Sequence, residues 1–153
     1  MTPEGHAALK NLLTEKKAEI MRLAKAIGAA AEEGDLKENA EYHAARERQG
    51  IVKAQVDDIE FQIAHAEVID TSTMSGPRVA FGAWVALEDI DRGEEVEYRI
   101  VGASEADIEK GTISVTSPMA RALINREVGD EVKVKTPGGV RTYEISRVRW
   151  GAK

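Results

Sequence analysis

From Tyr42 to Ala66 the chain returns a seam residue at alternating steps of three and four. The series is Tyr42, Ala45, Gln49, Val52, Val56, Ile59, Ile63 and Ala66, with Gln49 as its one strongly polar member. A heptad seam of this kind requires an α-helix with a second helix laid along it. The partner lies upstream, where Leu9, Leu13, Ile20, Leu23, Ile27 and Ala30 form a matching series whose missing step falls on Lys16. Thr2-Pro3-Glu4 reads as the start of that first helix, with a hydroxyl cap, proline in the first turn and early negative charge. A connection as short as Glu-Glu-Gly-Asp can only reverse the chain, so the helices are expected to lie antiparallel as a coiled coil. At 1.5 Å per residue, about 30 residues per helix predict a hairpin of roughly 45 Å. Two helices alone bury little surface, and such a hairpin serves either assembly or reach.

Composition agrees with aliphatic seams more than with one large core, because only 5% of the 153 residues are aromatic. There are no cysteines, which excludes disulfides and thiolate metal sites. The net charge is −6, and residues 1–70 carry 9 Lys and Arg against 14 Asp and Glu. With no long basic run, autonomous DNA binding is not expected, and contact with nucleic acid is expected only within a larger complex. No apolar run approaches the ~18 residues of a membrane span. The start MTPEGHAALK lacks the apolar core of a signal peptide, so a cytoplasmic location is expected.

Gly76-Pro77 breaks the helical period, and residues 71–77 (TSTMSGP) have linker composition, which divides the chain into 1–70, 71–77 and 78–153. Beyond the break the period becomes two. Strands are expected at 78–88, 95–102, 111–116, 131–136 and 140–150, with turns at Asp91-Arg92-Gly93 and Pro137-Gly138-Gly139. Ser117 as N-cap and Pro118 at the first helical position predict one helix over 117–124, with Met119, Leu123 and Ala122 toward an antiparallel sheet. The fold class is therefore α+β: an N-terminal two-helix coiled coil followed by a small β-rich domain with one helix.

The segment GDLKENAEYHAARERQG, residues 34–50, sits where the hairpin turns. Asp35 and Glu38 have the spacing of a capping box at the start of the second helix. They also belong to a dense acidic group with Glu32, Glu33 and Glu41. Hard carboxylate oxygens suit Mg²⁺, which takes one or two protein carboxylates and keeps other ligands free for a partner site. Such a site could support metal-assisted phosphodiester hydrolysis. Capping and metal binding are compatible, and the spacing alone leaves both open. The histidines His6, His43 and His65 are too dispersed for a zinc site.

This segment resembles the hairpin tip of the GreA/GreB family of bacterial transcript-cleavage factors, and its DLKENAEYHAA portion is nearest to the GreA branch. The likeness extends through FGAWV, YRIVG, SPMARALI and KTPGG, covering nearly the whole chain. The resemblance implies an FKBP-like C-terminal domain that docks on RNA polymerase and a hairpin that enters the secondary channel. Its acidic tip would hold Mg²⁺ jointly with the polymerase, so that the polymerase cuts backtracked RNA near the 3′ end. On this reading the chain is an accessory factor, not a free-standing enzyme, with no organic cofactor.

Carried over position by position, Asp35 and Glu38 match the metal-assisting carboxylates. Lys37, Asn39, Tyr42 and Arg46 match residues near RNA or the active centre, and the segment with Ser117, Pro118, Met119 and Arg121 lies near the docking surface. Each has a plainer reading beside it. Tyr42 begins the heptad seam, Lys37 and Arg46 offset acidic neighbours, and Met119 packs in the core. Residues before the tip glycine read AAAEEG, where the resemblance leads one to expect basic character, so a weaker RNA-facing basic patch is expected. Two other readings are a channel-binding relative without cleavage, against which the presence of both Asp35 and Glu38 argues, and a coiled-coil assembly or holdase protein.

Overall fold

The structure is a computed structural model that describes residues 1–32, 34 and 39–151. Two long helices come first, α1 (Pro3–Glu32) and α2 (Ala40–His65). Five strands follow, β1 (Trp84–Asp89), β2 (Glu95–Val101), β3 (Thr112–Ser114), β4 (Glu131–Thr136) and β5 (Gly139–Arg149), with helix α3 (Pro118–Leu123) between β3 and β4. The chain divides into two compact units, Glu4–Glu67 and Met1–Pro3 with Val68–Lys153.

In the helical unit the seam forms as its spacing requires. Val52, Val56 and Ile59 are buried on α2, and Ala30 is buried on α1. Burying each of the larger aliphatic side chains contributes about 1.5–3 kcal/mol. Lys16 takes the step where the apolar series of α1 is broken and is only partly exposed. The helices run antiparallel, since Lys17 pairs with Glu60 at 3.3 Å and Arg48 with Glu19 at 2.9 Å. The Arg48 guanidinium, hydrogen-bonded to Glu19, holds that carboxyl below the ordinary carboxylate range.

In the second unit the strands pair in the order β3-β2-β1-β5-β4. Every pairing is antiparallel except β2 with β3, which is parallel. The expected antiparallel sheet is therefore mixed. The chain leaving β2 passes through a 3₁₀ turn at Ile108–Lys110 and comes back alongside in the same direction. The core gathers Val79, Val85, Leu87, Ile100, Leu123, Val132, Val134 and Ile145. On α3 the buried pair is Ala120 and Leu123, both 0% exposed, while Met119 and Ala122 pack at its margin.

The third strand keeps only Thr112–Ser114 of the expected 111–116, and two other expected boundaries move. The first strand begins at Trp84, not at 78, because a turn intervenes with Gly82 at φ +87. A Cβ at Gly82 would come within 2.3 Å of Thr71 Cγ2, so only glycine fits there. Upstream, Arg78 meets Glu127 in an isolated β-bridge and in an ion pair at 3.1 Å, outside any strand. Residues expected as a linker are tied into the sheet unit: Thr71 is buried, Trp150 Nε1 donates to the Gly76 carbonyl at 3.0 Å, and Val128 N donates to the Pro77 carbonyl. The first residues join the same unit. Ile69 N donates to the Met1 carbonyl, and the Thr2 amide and hydroxyl both donate to the Glu105 carboxylate.

Both expected turns form. Pro137 and Gly138 link β4 to β5, with Thr136 paired to Gly139. The buried Asp89 carboxylate accepts from the amides of Asp91 and Arg92 and closes the β1–β2 turn.

Candidate functional site

The tip of the hairpin is built from the two helix ends that approach it. Asn39 is the N-cap of α2, with its side-chain oxygen accepting from Tyr42 N at 3.1 Å and its carbonyl accepting from His43 N. The cap suggested by the Asp35-x-x-Glu38 spacing thus belongs to Asn39. Asp35, Lys37 and Glu38 themselves lie outside the described residues. Between the helices, Gly34 has φ +138 and open space around its missing Cβ, a backbone state that favours glycine.

The amide nitrogen of Asn39 reaches back to α1, donating to the Ala30 carbonyl at 2.7 Å. That carbonyl lies in the last turn of α1, where acceptors have no partner within their own helix. The same turn ends on Glu32 and carries no basic residue. Negative charge at a helix C-terminus opposes the macrodipole, whereas Glu41 in the first turn of α2 is favourably placed.

Asn39, Tyr42 and Arg46 come together on one face of α2. Arg46 Nη1 donates to the Tyr42 hydroxyl at 3.3 Å, and its guanidinium carbon lies 5.9 Å from the ring centroid. His43 meets the Tyr42 ring edge-on at 5.5 Å. Tyr42 is half-buried, which agrees with its seam position, while Arg46 is exposed.

A second candidate surface lies on the sheet unit. Ser117 caps α3 by accepting from Ala120 N at 3.2 Å, and Pro118 follows at the first helical position. Ser117, Pro118 and Met119 line an open groove together with Tyr98, Ile108 and Val134. Arg121 is exposed on the same helix. Ile108 was not singled out from sequence, yet it stands 65% exposed beside the groove. An isoleucine carried on a three-residue turn was the only signal for it.

Elsewhere on the sheet, Glu97 receives Arg149 at 2.6 Å and Arg147 at 3.1 Å, and Arg149 stacks on Trp84 at 4.6 Å from its ring centroid. The hydrogen bond from Arg149 holds the Glu97 carboxyl below its ordinary range. This cluster braces β1, β2 and β5. Among the described residues no group of three or more His, Asp or Glu side chains converges as a metal site, and no helix is long and apolar enough to cross a membrane.

Comparison with known proteins covers both units. The family model described as "Transcription elongation factor, N-terminal" matches residues 1–68, and the one described as "Transcription elongation factor, GreA/GreB, C-term" matches residues 74–149. The transcription elongation factor GreA of Phenylobacterium zucineum is 53% identical over 151 residues, covering 98% of this chain and 96% of that protein. GreA of Caulobacter vibrioides is 50% identical over the same shares of each chain. The solved structure of GreA factor homolog 1 of Thermus thermophilus is 25% identical over 97% of each chain, with a TM-score of 0.45. The chain belongs to the GreA/GreB family of transcription elongation factors.

Proposed function

We propose that this protein binds RNA polymerase in the cytoplasm and stimulates the polymerase's own cleavage of backtracked RNA. The face of the sheet unit that carries Ser117, Pro118, Met119 and Arg121 docks on the polymerase. The hairpin enters the secondary channel, and Asp35 and Glu38 reach the active centre. One observation carries this reading: membership in the family spans both units, and both carboxylates stand at the positions where the resemblance expects metal-assisting acids.

The donor set fits Mg²⁺. Two hard carboxylates make an incomplete site that a partner must finish, and the described residues offer no rival cluster. Bound Mg²⁺ would supply water activation and charge stabilisation at the leaving oxygen. The protein's own part is to carry the two carboxylates and to keep their surroundings acidic. Arg46, beside the Tyr42 hydroxyl, contacts RNA phosphate or an active-centre element, with Lys37 and Asn39 nearby in sequence. The protein is an accessory factor whose chemistry is completed by the polymerase.

The test incubates stalled, backtracked polymerase complexes with the protein and Mg²⁺ and resolves the RNA lengths. Asp35→Asn or Glu38→Gln is expected to slow cleavage by at least about tenfold, the scale on which even outer-shell changes act at metal sites. Polymerase affinity is expected to stay near that of the unaltered protein. Unchanged cleavage in both variants would show the metal-assisting assignment to be wrong.

A further inference from the structure

Asn39 uses both ends of one planar amide, and each end serves a different helix. Its oxygen accepts from Tyr42 N, one of the first-turn donors that α2 cannot satisfy itself. Its nitrogen donates to the Ala30 carbonyl, one of the last-turn acceptors that α1 cannot satisfy. Ala30 is 5% exposed, so that carbonyl belongs to a largely covered residue. A single side chain thereby ties the last turn of α1 to the first turn of α2.

We propose that Asn39 is a positioning residue, a clasp that ties the last turn of α1 to the first turn of α2 and on which stimulated cleavage depends. The chemistry of the amide is specific to this task. Aspartate caps a helix as well as asparagine does but has no donor, and it would set an oxygen against the Ala30 carbonyl. Serine also caps, but on a side chain too short to bridge. Both replacements keep the cap and remove the clasp, and only aspartate adds charge. Misplacement of reacting groups by an ångström can cost about a hundredfold in rate, so release of the two helix ends from each other is expected to be read out in cleavage.

The cleavage part of this inference rests on the proposed function, and the test separates the two. The chain has no cysteine, so Gly28→Cys and Ala44→Cys, both at exposed positions on facing helices, provide sites for paired spin labels. In Asn39→Asp and Asn39→Ser the label-to-label distance distribution is expected to broaden. Without labels, both variants are expected to cleave about tenfold more slowly at limiting Mg²⁺ and to recover partly at high Mg²⁺. The protein concentration that gives half-maximal cleavage is expected not to move, which a general loss of folding would not spare. Unchanged distance distributions in both variants would overturn the clasp, and broadened distributions with unaltered cleavage would overturn its positioning role. If the unaltered protein stimulates no cleavage, the proposed function and the positioning role fail together. The distance measurement then decides the clasp alone.

Discussion

The helical unit and the sheet unit solve the problem of burial differently. The hairpin closes on a seam one residue wide, in which Ala30, Val52, Val56 and Ile59 are its buried apolar residues. The sheet unit closes on a core shared by five strands and α3, where Leu87, Ile100, Leu123 and Ile145 lose all contact with solvent. Val52 is covered as completely as these, but Ala30, Val56 and Ile59 keep 5–7% exposure and the other seam positions are only half-buried. The proposed metal-assisting residues belong to the unit with less burial, so the hairpin is held by details such as caps and ion pairs, while the sheet unit relies on its core.

Truncation measures that contrast most directly. Leu123→Ala is expected to destabilise the sheet unit by about 3–4 kcal/mol, and Ile59→Ala the hairpin by about 2 kcal/mol, because a seam can collapse around a small void more easily than a core. Denaturant unfolding followed by a probe in each unit reads both values. Equal costs would break the distinction.

The next effect runs the other way. Lys16 occupies the gap in the apolar series of α1, so Lys16→Leu is expected to complete the seam and stabilise the hairpin by about 1 kcal/mol. A thermal melt that moved down would mean that the lysine is wanted where it is.

The smallest effect is electrostatic. The folded-state carboxyl of Glu97 is held below its ordinary range by the Arg149 hydrogen bond. Its contribution is therefore present above the unfolded value, about pH 4.3, and is lost as the pH falls through the lower folded value. With Glu97 21% exposed, solvent screening keeps this under about 1 kcal/mol. In Glu97→Gln the stability deficit is expected at neutral pH and should close under acid. Glu19 on the hairpin shifts in the same direction through Arg48 and is about as exposed, but one arginine pairs with it where two pair with Glu97, so Glu19→Gln should change the acid limb less. A larger effect at Glu19 would reverse the ranking of the two units.

Much of this was legible without coordinates because it is written in short-range patterns. Seam positions on both helices are the ones the three-and-four spacing names, including the gap at Lys16. Ser117 and Pro118 start α3 as their types demand, and the Pro137-Gly138 turn joins β4 to β5. The cap of α2 was harder. Asp35 and Asn39 are equally good caps by type, and the choice between them depends on a carbonyl at Ala30, on another helix. The groove beside Ser117 was invisible for the same reason, since Tyr98, Ile108 and Val134 reach it from separate elements.

What the chain determined by itself is its periodicity: where helices and strands form, which face each one buries, and that the first two helices must fold back on each other. Those features depend on residues within a turn or two of one another. Tertiary structure alone decided the parallel β2–β3 edge, the attachment of Met1–Pro3 and Val68–Pro77 to the sheet unit, and the use of one asparagine to satisfy two helices. Each of these joins groups that belong to separate elements, and their pairing depends on which donors and acceptors would otherwise be left without a partner.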